Sequence, residues 1–342
     1  MTAADQTTHT TRWALIGASD IAATRIIPAV RRHGGHISVV QSSDSDWAAT
    51  YAERHAIGAW TTSVDDAVAR DDVDAVYVSS RNQMHCDQVI ASARAGKHVL
   101  AEKPLALTLD DARAMVQACD SSGVVMATNH HLPFEPAHMA MKEIVASGEI
   151  GAVRAIHVSH AVGLPDRLRG WRVDDPVGGG VVLDVFIHDM AAVAAIIGGQ
   201  AQTVMATARS GPDVPAAPNS VMTIVEWSSD VIVQTHDAYD NYDLPTSFDI
   251  LGVAGAIRSV MSMTGDPIGE VTVYHDNVGT PVDIPVRDDL YLLSVRGFDE
   301  AIHSGTRPRV SGPDGVRSLA AALAALESLS TGCTARVEQV LP

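Results

Sequence analysis

The 342 residues exceed what one hydrophobic core usually spans, and 46% of them are apolar, enough for two substantial cores. Gly (26) and Pro (16) are present at an ordinary globular share, which excludes collagen-like and low-complexity chains. The formal net charge of -17 repels polyanions, so nucleic acid and anionic membrane are excluded as partners unless a local basic patch exists, and none is visible.

The polar start (MTAADQTTHTTR) lacks the apolar stretch of a signal peptide, and no run of about 18 apolar residues follows. Cys86, Cys119 and Cys333 are too scattered for a disulfide framework or a zinc site. A cytoplasmic chain is expected. From residue 13 onward, short apolar runs alternate with helical spacing. Strands are predicted at 13–16, 37–41, 75–79, 98–102 and 124–129, and helices at 21–32, 47–55, 64–70, 83–95 and 109–121. Nearly continuous apolar strands joined by helices predict a doubly wound parallel sheet. A helix at 135–147 follows, and then longer strands at 153–162, 201–208, 221–227, 231–238, 247–251, 256–261 and 271–275. Hairpin signals such as Ser228-Ser229-Asp230 make that second sheet mostly antiparallel. A helix at 181–197 enters through Gly178-Gly179-Gly180, and helices at 290–304 and 314–331 close the chain. The fold class is therefore α/β, with a dinucleotide-binding domain over 1–128 and a substrate-binding and oligomerisation domain over 129–342. The last helices have the option of packing back on the first domain.

Gly17-Ala18-Ser19-Asp20-Ile21-Ala22 follows the first strand and opens a helix, where backbone amides and a helix N-terminus face a pyrophosphate. Ser19 stands where the fingerprint has its second glycine. The second strand ends without an acid, and Ser42 and Ser43 offer donors to a 2'-phosphate. NADP is preferred on this basis, with NAD open because Asp44 or Asp46 could reach a ribose. Pro104 keeps Lys103 extended at the carboxyl edge of the sheet, where ligands bind in open α/β folds. Asp184 and His188, spaced i,i+4, share a helix face and form a candidate acid/base pair, the carboxylate supporting a protonated imidazole. Asp189 is expected to be solvated. Asn129-His130-His131 and Trp171-Arg172 supply polar and aromatic groups suited to a polyhydroxylated ligand. No metal centre is expected: His157 and His160 fall on opposite faces of a strand, and no ligand-spaced cluster is visible.

Taken together, the dinucleotide turn, Asp74-Ala75-Val76-Tyr77-Val78-Ser79-Ser80, His85, Ala95-Gly96-Lys97-His98-Val99, Glu102-Lys103-Pro104 and GGGVVLDVFIHD resemble the Gfo/Idh/MocA oxidoreductase family over nearly the whole chain. RWALIGASDIA, TNHHL and GWR are similar to a bacterial branch that reduces a 1,5-anhydro-ketose. The resemblance implies a Rossmann domain, a second domain with a large sheet used for dimer contacts, and hydride transfer between nicotinamide C4 and a ring ketone or secondary alcohol of a sugar. It implies that Lys103, Asp184 and His188 are catalytic. Gly17, Ser19, Asp20, Ile21, Ser42, Ser43, Ser79, Ser80, Asn82, His85, Glu102, Lys103 and Asn129 would hold the cofactor. His131, Trp171, Arg172, Asp184 and His188 would hold the substrate. Three departures stand out: Trp47 replaces an arginine able to hold the NADP phosphate, Pro133 replaces an arginine after Asn-His-His-Leu, and Phe186 replaces a small residue. A sugar or inositol dehydrogenase is the alternative within the family. A non-catalytic dinucleotide-sensing regulator is the alternative outside it, and it has no need to retain Lys103, Asp184 and His188.

Overall fold

In the computed structural model, which describes residues 11–209, 217–241 and 243–340, the chain divides into two compact units. The N-terminal residues 1–10, whose polarity was read above, lie outside the described residues. Among the described residues no helix is long and apolar enough to cross a membrane.

The first unit comprises residues 1–101, 117–127 and 291–309. Its sheet is built from β1 (Arg12–Ile16), β2 (His36–Gln41), β3 (Trp60–Thr61), β4 (Ala75–Val78), β5 (His98–Ala101) and β6 (Met126–Thr128), in the order β3-β2-β1-β4-β5-β6. The pairings given for β1 through β5 are all parallel. β1 and β4 are buried along almost their whole length, as expected of central strands covered on both faces. Helices α1 (Ile27–Arg32), α2 (Ser45–Arg54), α3 (Val64–Val68), α4 (His85–Arg94) and α5 (Leu109–Ser122) provide the crossovers. The helix leading into α1 opens with a π turn, Ala22–Ile26. Pro28 has no N–H and crowds the carbonyl four residues back, so a wider turn ahead of it relieves the clash.

The second unit comprises residues 102–116, 128–290 and 310–342. Its sheet contains β7 (Val153–Ala161), β8 (Ala201–Ala208), β9 (Ser220–Trp227), β10 (Ile232–Ala238), β11 (Ser247–Gly252), β12 (Ala256–Val260), β13 (Glu270–His275), β14 (Val278–Pro281) and β15 (Ala335–Arg336). The order is β14-β13-β12-β11-β7-β10-β9-β8-β15. Every pairing is antiparallel except β7 with β10. The predicted hairpin joins β9 to β10, with Asp230 at φ +57. Strands β3, β14 and β15 were not foreseen; all three lie at sheet edges and are mostly exposed, so none carries the buried apolar run that marks β4, β5 and β6. Helix α6 (Pro136–Ser147) starts at the N-cap Glu135, and a short α7 (Trp171–Asp174) occupies what reads as a loop in the sequence. Helix α8 (Ile187–Ile197) is preceded by a second π turn, Val182–Phe186. In chain order the sheet is followed by α9 (Leu290–Ser304), which from residue 291 belongs to the first unit, and by α10 (Gly312–Thr331) of the second. α10 packs on β8, where Ser328 Oγ accepts the buried Ala206 amide at 2.9 Å.

The alternation along β9 places Val221, Thr223, Val225 and Trp227 inside, and Met222 and Ile224 outside. Met205, Met222, Ile224 and Ile232 are each at least half exposed. Met205 pairs directly with Ile224, so this outer face carries a contiguous apolar element.

Candidate active site

Lys103 directly follows Glu102 at the end of the β5 segment, and the π turn before α8 presents Asp184 to it. Lys103 Nζ donates to Asp184 Oδ1 at 2.6 Å and to the Asp184 carbonyl at 2.8 Å. The second bond fits the π turn. Ile187 N reaches back to Val182 O, five residues away, and this wider spacing tilts carbonyls off the helix axis. Asp184 Oδ2 accepts from Arg172 Nε at 3.1 Å and from the Tyr239 hydroxyl at 2.8 Å. Burial by itself raises the Asp184 pKa. The Lys103 and Arg172 charges and the bonds from Lys103 and Tyr239 outweigh it, holding the carboxyl well below the usual carboxylate range. Burial, and then Asp184, push the Tyr239 phenol well above its ordinary value, so it stays a neutral donor.

His188 sits one turn beyond Asp184 and is buried. Its Nδ1 lies 3.1 Å from Nδ1 of His130, and its ring meets that of His131 edge-on at 4.5 Å. Burial first, and then the Lys103 charge and the neighbouring histidines, lower its pKa well below 6.5, so the resting imidazole is neutral. This corrects the expected role of Asp184. The carboxylate is engaged by Lys103, Arg172 and Tyr239, and the ring partner of His188 is His130. Asp184 therefore anchors the ammonium and does not charge the imidazole.

Asp189 is also corrected: it is fully buried, not solvated. Its Oδ1 accepts from His160 Nδ1 at 2.7 Å, and Asp237, whose Oδ2 accepts from Thr235 Oγ1 at 2.6 Å, lies in the same buried cluster. Burial raises both carboxyls, Asp189 to about 8, so the pair holds a proton at neutral pH. His160, Asp189 and Asp237 bring ligand-type atoms within 4.8 Å of one another. The spacing reading missed this cluster because its members lie on β7, α8 and β10. The His160 contact has hydrogen-bond length, while Asp189 Oδ2 and Asp237 Oδ1 are buried without a hydrogen-bond partner among the described residues.

The sequence-predicted residues divide between the units. Gly17, Ser19, Asp20, Ile21, Ser42, Ser43, Ser79, Ser80, Asn82 and His85 belong to the first. Glu102, Lys103, Asn129, His131, Trp171, Arg172, Asp184 and His188 belong to the second. At Gly17 φ is +105, and a Cβ would fall 2.7 Å from Ser80 N and 2.9 Å from Ser79 C, so only glycine fits. Ser19 Oγ caps the helix by accepting the Ala22 amide at 3.1 Å and meets Ser79 Oγ at 2.7 Å. Glycine backbone, paired hydroxyls and a helix start make a donor set that fits a dinucleotide phosphate. Ser80 Oγ bonds Gln88 at 2.5 Å, His85 is buried with Nε2 3.2 Å from Ser80 O, and Asn82 is buried beside them. Asp44 caps α2, accepting the amides of Asp46 and Trp47. In the second unit Asn129 Nδ2 donates to Glu102 Oε1 at 2.6 Å. Trp171 is 45% exposed, with the Arg172 guanidinium 4.7 Å from its ring centre. Tyr239 and Ser318 were missed, and His130, read above as a ligand-binding candidate, was not foreseen as the partner of His188. Each reaches the site from at least 55 residues away, and no local pattern marks such a contact.

Residues 11–130 match the model of the oxidoreductase family with an NAD-binding Rossmann fold (Gfo/Idh/MocA), and residues 138–258 match that family's C-terminal domain. A 1,5-anhydro-D-fructose reductase of Ensifer adhaerens is 41% identical over 96% of this chain and 98% of its own. A D-xylose 1-dehydrogenase (NADP(+)) of Haloferax volcanii is 28% identical over 95% and 99%. Among solved structures, a levoglucosan dehydrogenase in complex with NADH and levoglucosan superposes with a TM-score of 0.85 at 19% identity, covering 96% of this chain and 100% of that one. A 3-ketoreductase from Actinomadura kijaniata with NADP and TDP-benzene superposes with a TM-score of 0.82 at 25% identity, covering 93% and 98%.

Proposed function

The chain belongs to the Gfo/Idh/MocA family of oxidoreductases, and from that premise we propose that it reduces the ring ketone of a 1,5-anhydrofructose-type sugar with NADPH. One observation carries the reading. A part-buried ammonium is tied at 2.6 Å to a carboxylate that lies one helical turn from a neutral imidazole, in a chain whose other unit holds a dinucleotide turn.

When bound, the nicotinamide supplies the hydride, and Gly17, Ser19 and Ser79 would hold its phosphates. Two of the three N–H bonds of Lys103 go to Asp184, and the third is available to a substrate oxygen. As the carbonyl carbon accepts hydride, negative charge builds on that oxygen, and the fixed ammonium stabilises it. His188, whose resting imidazole is neutral, takes a proton from solvent at Nε2 before turnover and then delivers it to the oxygen to complete the alcohol. Its lowered pKa makes the protonated form a strong acid and leaves a neutral base for the reverse reaction. The Arg172 guanidinium and the Trp171 face offer hydrogen bonds and an apolar surface to the sugar.

The preference for NADP has three supports. No acid ends β2, Asp44 is engaged as a helix cap, and the Arg54 guanidinium lies 5.6 Å from the Trp47 ring centre on the helix that follows Ser42 and Ser43. Charged hydrogen bonds to a phosphate contribute about tenfold or more in affinity. Purified protein with 1,5-anhydrofructose is therefore expected to oxidise NADPH at least about tenfold more efficiently than NADH, followed at the nicotinamide absorbance band. A protein inert toward this ketone but active with NADP and inositols or aldoses would instead be a ring-hydroxyl dehydrogenase.

The chain is further proposed to form a homodimer through the outer face of the second sheet, where Met205, Met222, Ile224 and Ile232 are exposed on adjacent strands. Light scattering is expected to give twice the monomer mass, and Ile224→Lys to halve it. A wild-type monomer would remove the proposal.

A further inference from the structure

His188 makes its ring-nitrogen contact with a residue to which neither the family resemblance nor the proposed mechanism gives a role. His130 is fully buried. Its Nδ1 lies 3.1 Å from His188 Nδ1, and its Nε2 lies 2.9 Å from Ser318 Oγ on α10. The Ser318 hydroxyl in turn donates to the Gly315 carbonyl at 3.0 Å, one turn earlier in the same helix.

The position of each proton follows from the end of this chain. Directed to Gly315 O at 3.0 Å, the single Ser318 hydrogen leaves the Ser318 oxygen as acceptor toward His130. His130 Nε2 must then carry a hydrogen. Burial first and the Lys103 charge next lower the His130 pKa to about 3, against a smaller opposing influence from Asp314, so the ring is neutral and carries one hydrogen only. Its Nδ1 is bare. A bare nitrogen 3.1 Å from His188 Nδ1 requires a hydrogen on the latter.

We propose that His130 and Ser318 are positioning residues that fix the His188 tautomer, keeping a hydrogen on Nδ1 and reserving Nε2 as the nitrogen that exchanges a proton with the substrate oxygen. The inference rests on the role given to His188 above and adds what sets that role. Neither residue touches the reacting atoms. They act by denying His188 the opposite tautomer, in which Nε2 would already hold a hydrogen and could not accept one.

The variants separate this from simple packing. In His130→Leu the acceptor for His188 Nδ1 is gone, and kcat is expected to fall about 100-fold with KM within about twofold of wild type. In His130→Asn the amide oxygen takes the place of Nδ1 as acceptor, and activity is expected to return to within about tenfold of wild type. In Ser318→Ala the His130 hydrogen loses its partner at Nε2 and moves to Nδ1, which forces the His188 hydrogen onto Nε2; kcat is expected to fall about tenfold. Adding Ser318→Ala to His130→Asn is expected to cost little more, because the amide does not use Ser318. Ring-nitrogen NMR of histidine-labelled protein reads the tautomer directly and needs no substrate. Wild type is expected to show His188 protonated at Nδ1, and Ser318→Ala at Nε2. A wild-type His188 hydrogen on Nε2 overturns the proposal, as does a folded His130→Leu protein with kcat within about twofold of wild type. Absence of turnover on every sugar, with the Nδ1 tautomer intact and reversed in Ser318→Ala, would leave this inference standing and remove the functional reading alone.

Discussion

Replacing Lys103 by methionine is expected to lower kcat for the ketone about 1000-fold while changing KM far less. Methionine keeps the length of the lysine stem and removes only the ammonium. The side chain is 13% exposed, so the charge acts where water competes weakly for a substrate oxygen. Loss of a single donor to a developing oxyanion typically costs about 100- to 1000-fold in kcat, and here the donor is also charged. The fold is expected to tolerate the change, because Asp184 keeps Arg172 at 3.1 Å and Tyr239 at 2.8 Å. Steady-state kinetics with the ketone varied at saturating cofactor, alongside a thermal melt, checks both statements. A Lys103→Met protein with kcat within about tenfold of wild type would show that the ammonium is not the oxyanion partner. Lys103→Arg is a stricter comparison. It keeps the charge but replaces a compact three-donor head with a planar fork, and partial recovery would show that geometry matters as well as charge.

Lys103, Asp184 and His188 were legible in the sequence because each is marked by a short-range constraint. Pro104 restricts the backbone of Lys103, and a spacing of four puts Asp184 and His188 on one helix face. The partners were not legible because their contacts depend on how distant elements pack. Tyr239 closes on Asp184 from 55 residues away, His130 on His188 from 58, and Ser318 on His130 from 188. The misassigned role of Asp184 has the same origin. Four-residue spacing shows that the two side chains share a face, but Lys103 and Arg172 arrive from other segments and outcompete the imidazole for both carboxylate oxygens. Asp189 does point away from His188, as its position implies, yet the space it enters is lined by His160 and Asp237, not by water. The π turn at Val182–Phe186 has no proline or glycine to announce it, unlike the one ahead of Pro28. The long strands and helices were recoverable from periodicity. The short edge strands β3, β14 and β15 were not, since their pairing is decided by neighbouring strands already in place.

Asp184→Asn is expected to destabilise the protein by about 3 kcal/mol at neutral pH and to abolish most turnover with it. The substitution is isosteric but leaves the Lys103 ammonium and the Arg172 guanidinium facing one another with no counter-charge, and it presents an amide N–H₂ to groups that are themselves donors. The folded-state pKa of Asp184 is depressed below its unfolded value, so the wild-type carboxylate contributes stability that is fully present above the unfolded pKa and is lost as the pH falls. The unfolded value is about 3.9. The wild-type advantage over Asp184→Asn is therefore expected to be constant from about pH 8 down to about pH 5 and to narrow steadily below that. Urea denaturation of both proteins across this range reads the difference directly. A gap that stays constant down to about pH 3 would mean that Asp184 is not the group holding the two cations together. A gap that widens with acid would mean that its pKa is raised on folding, with the cluster organised around a neutral acid.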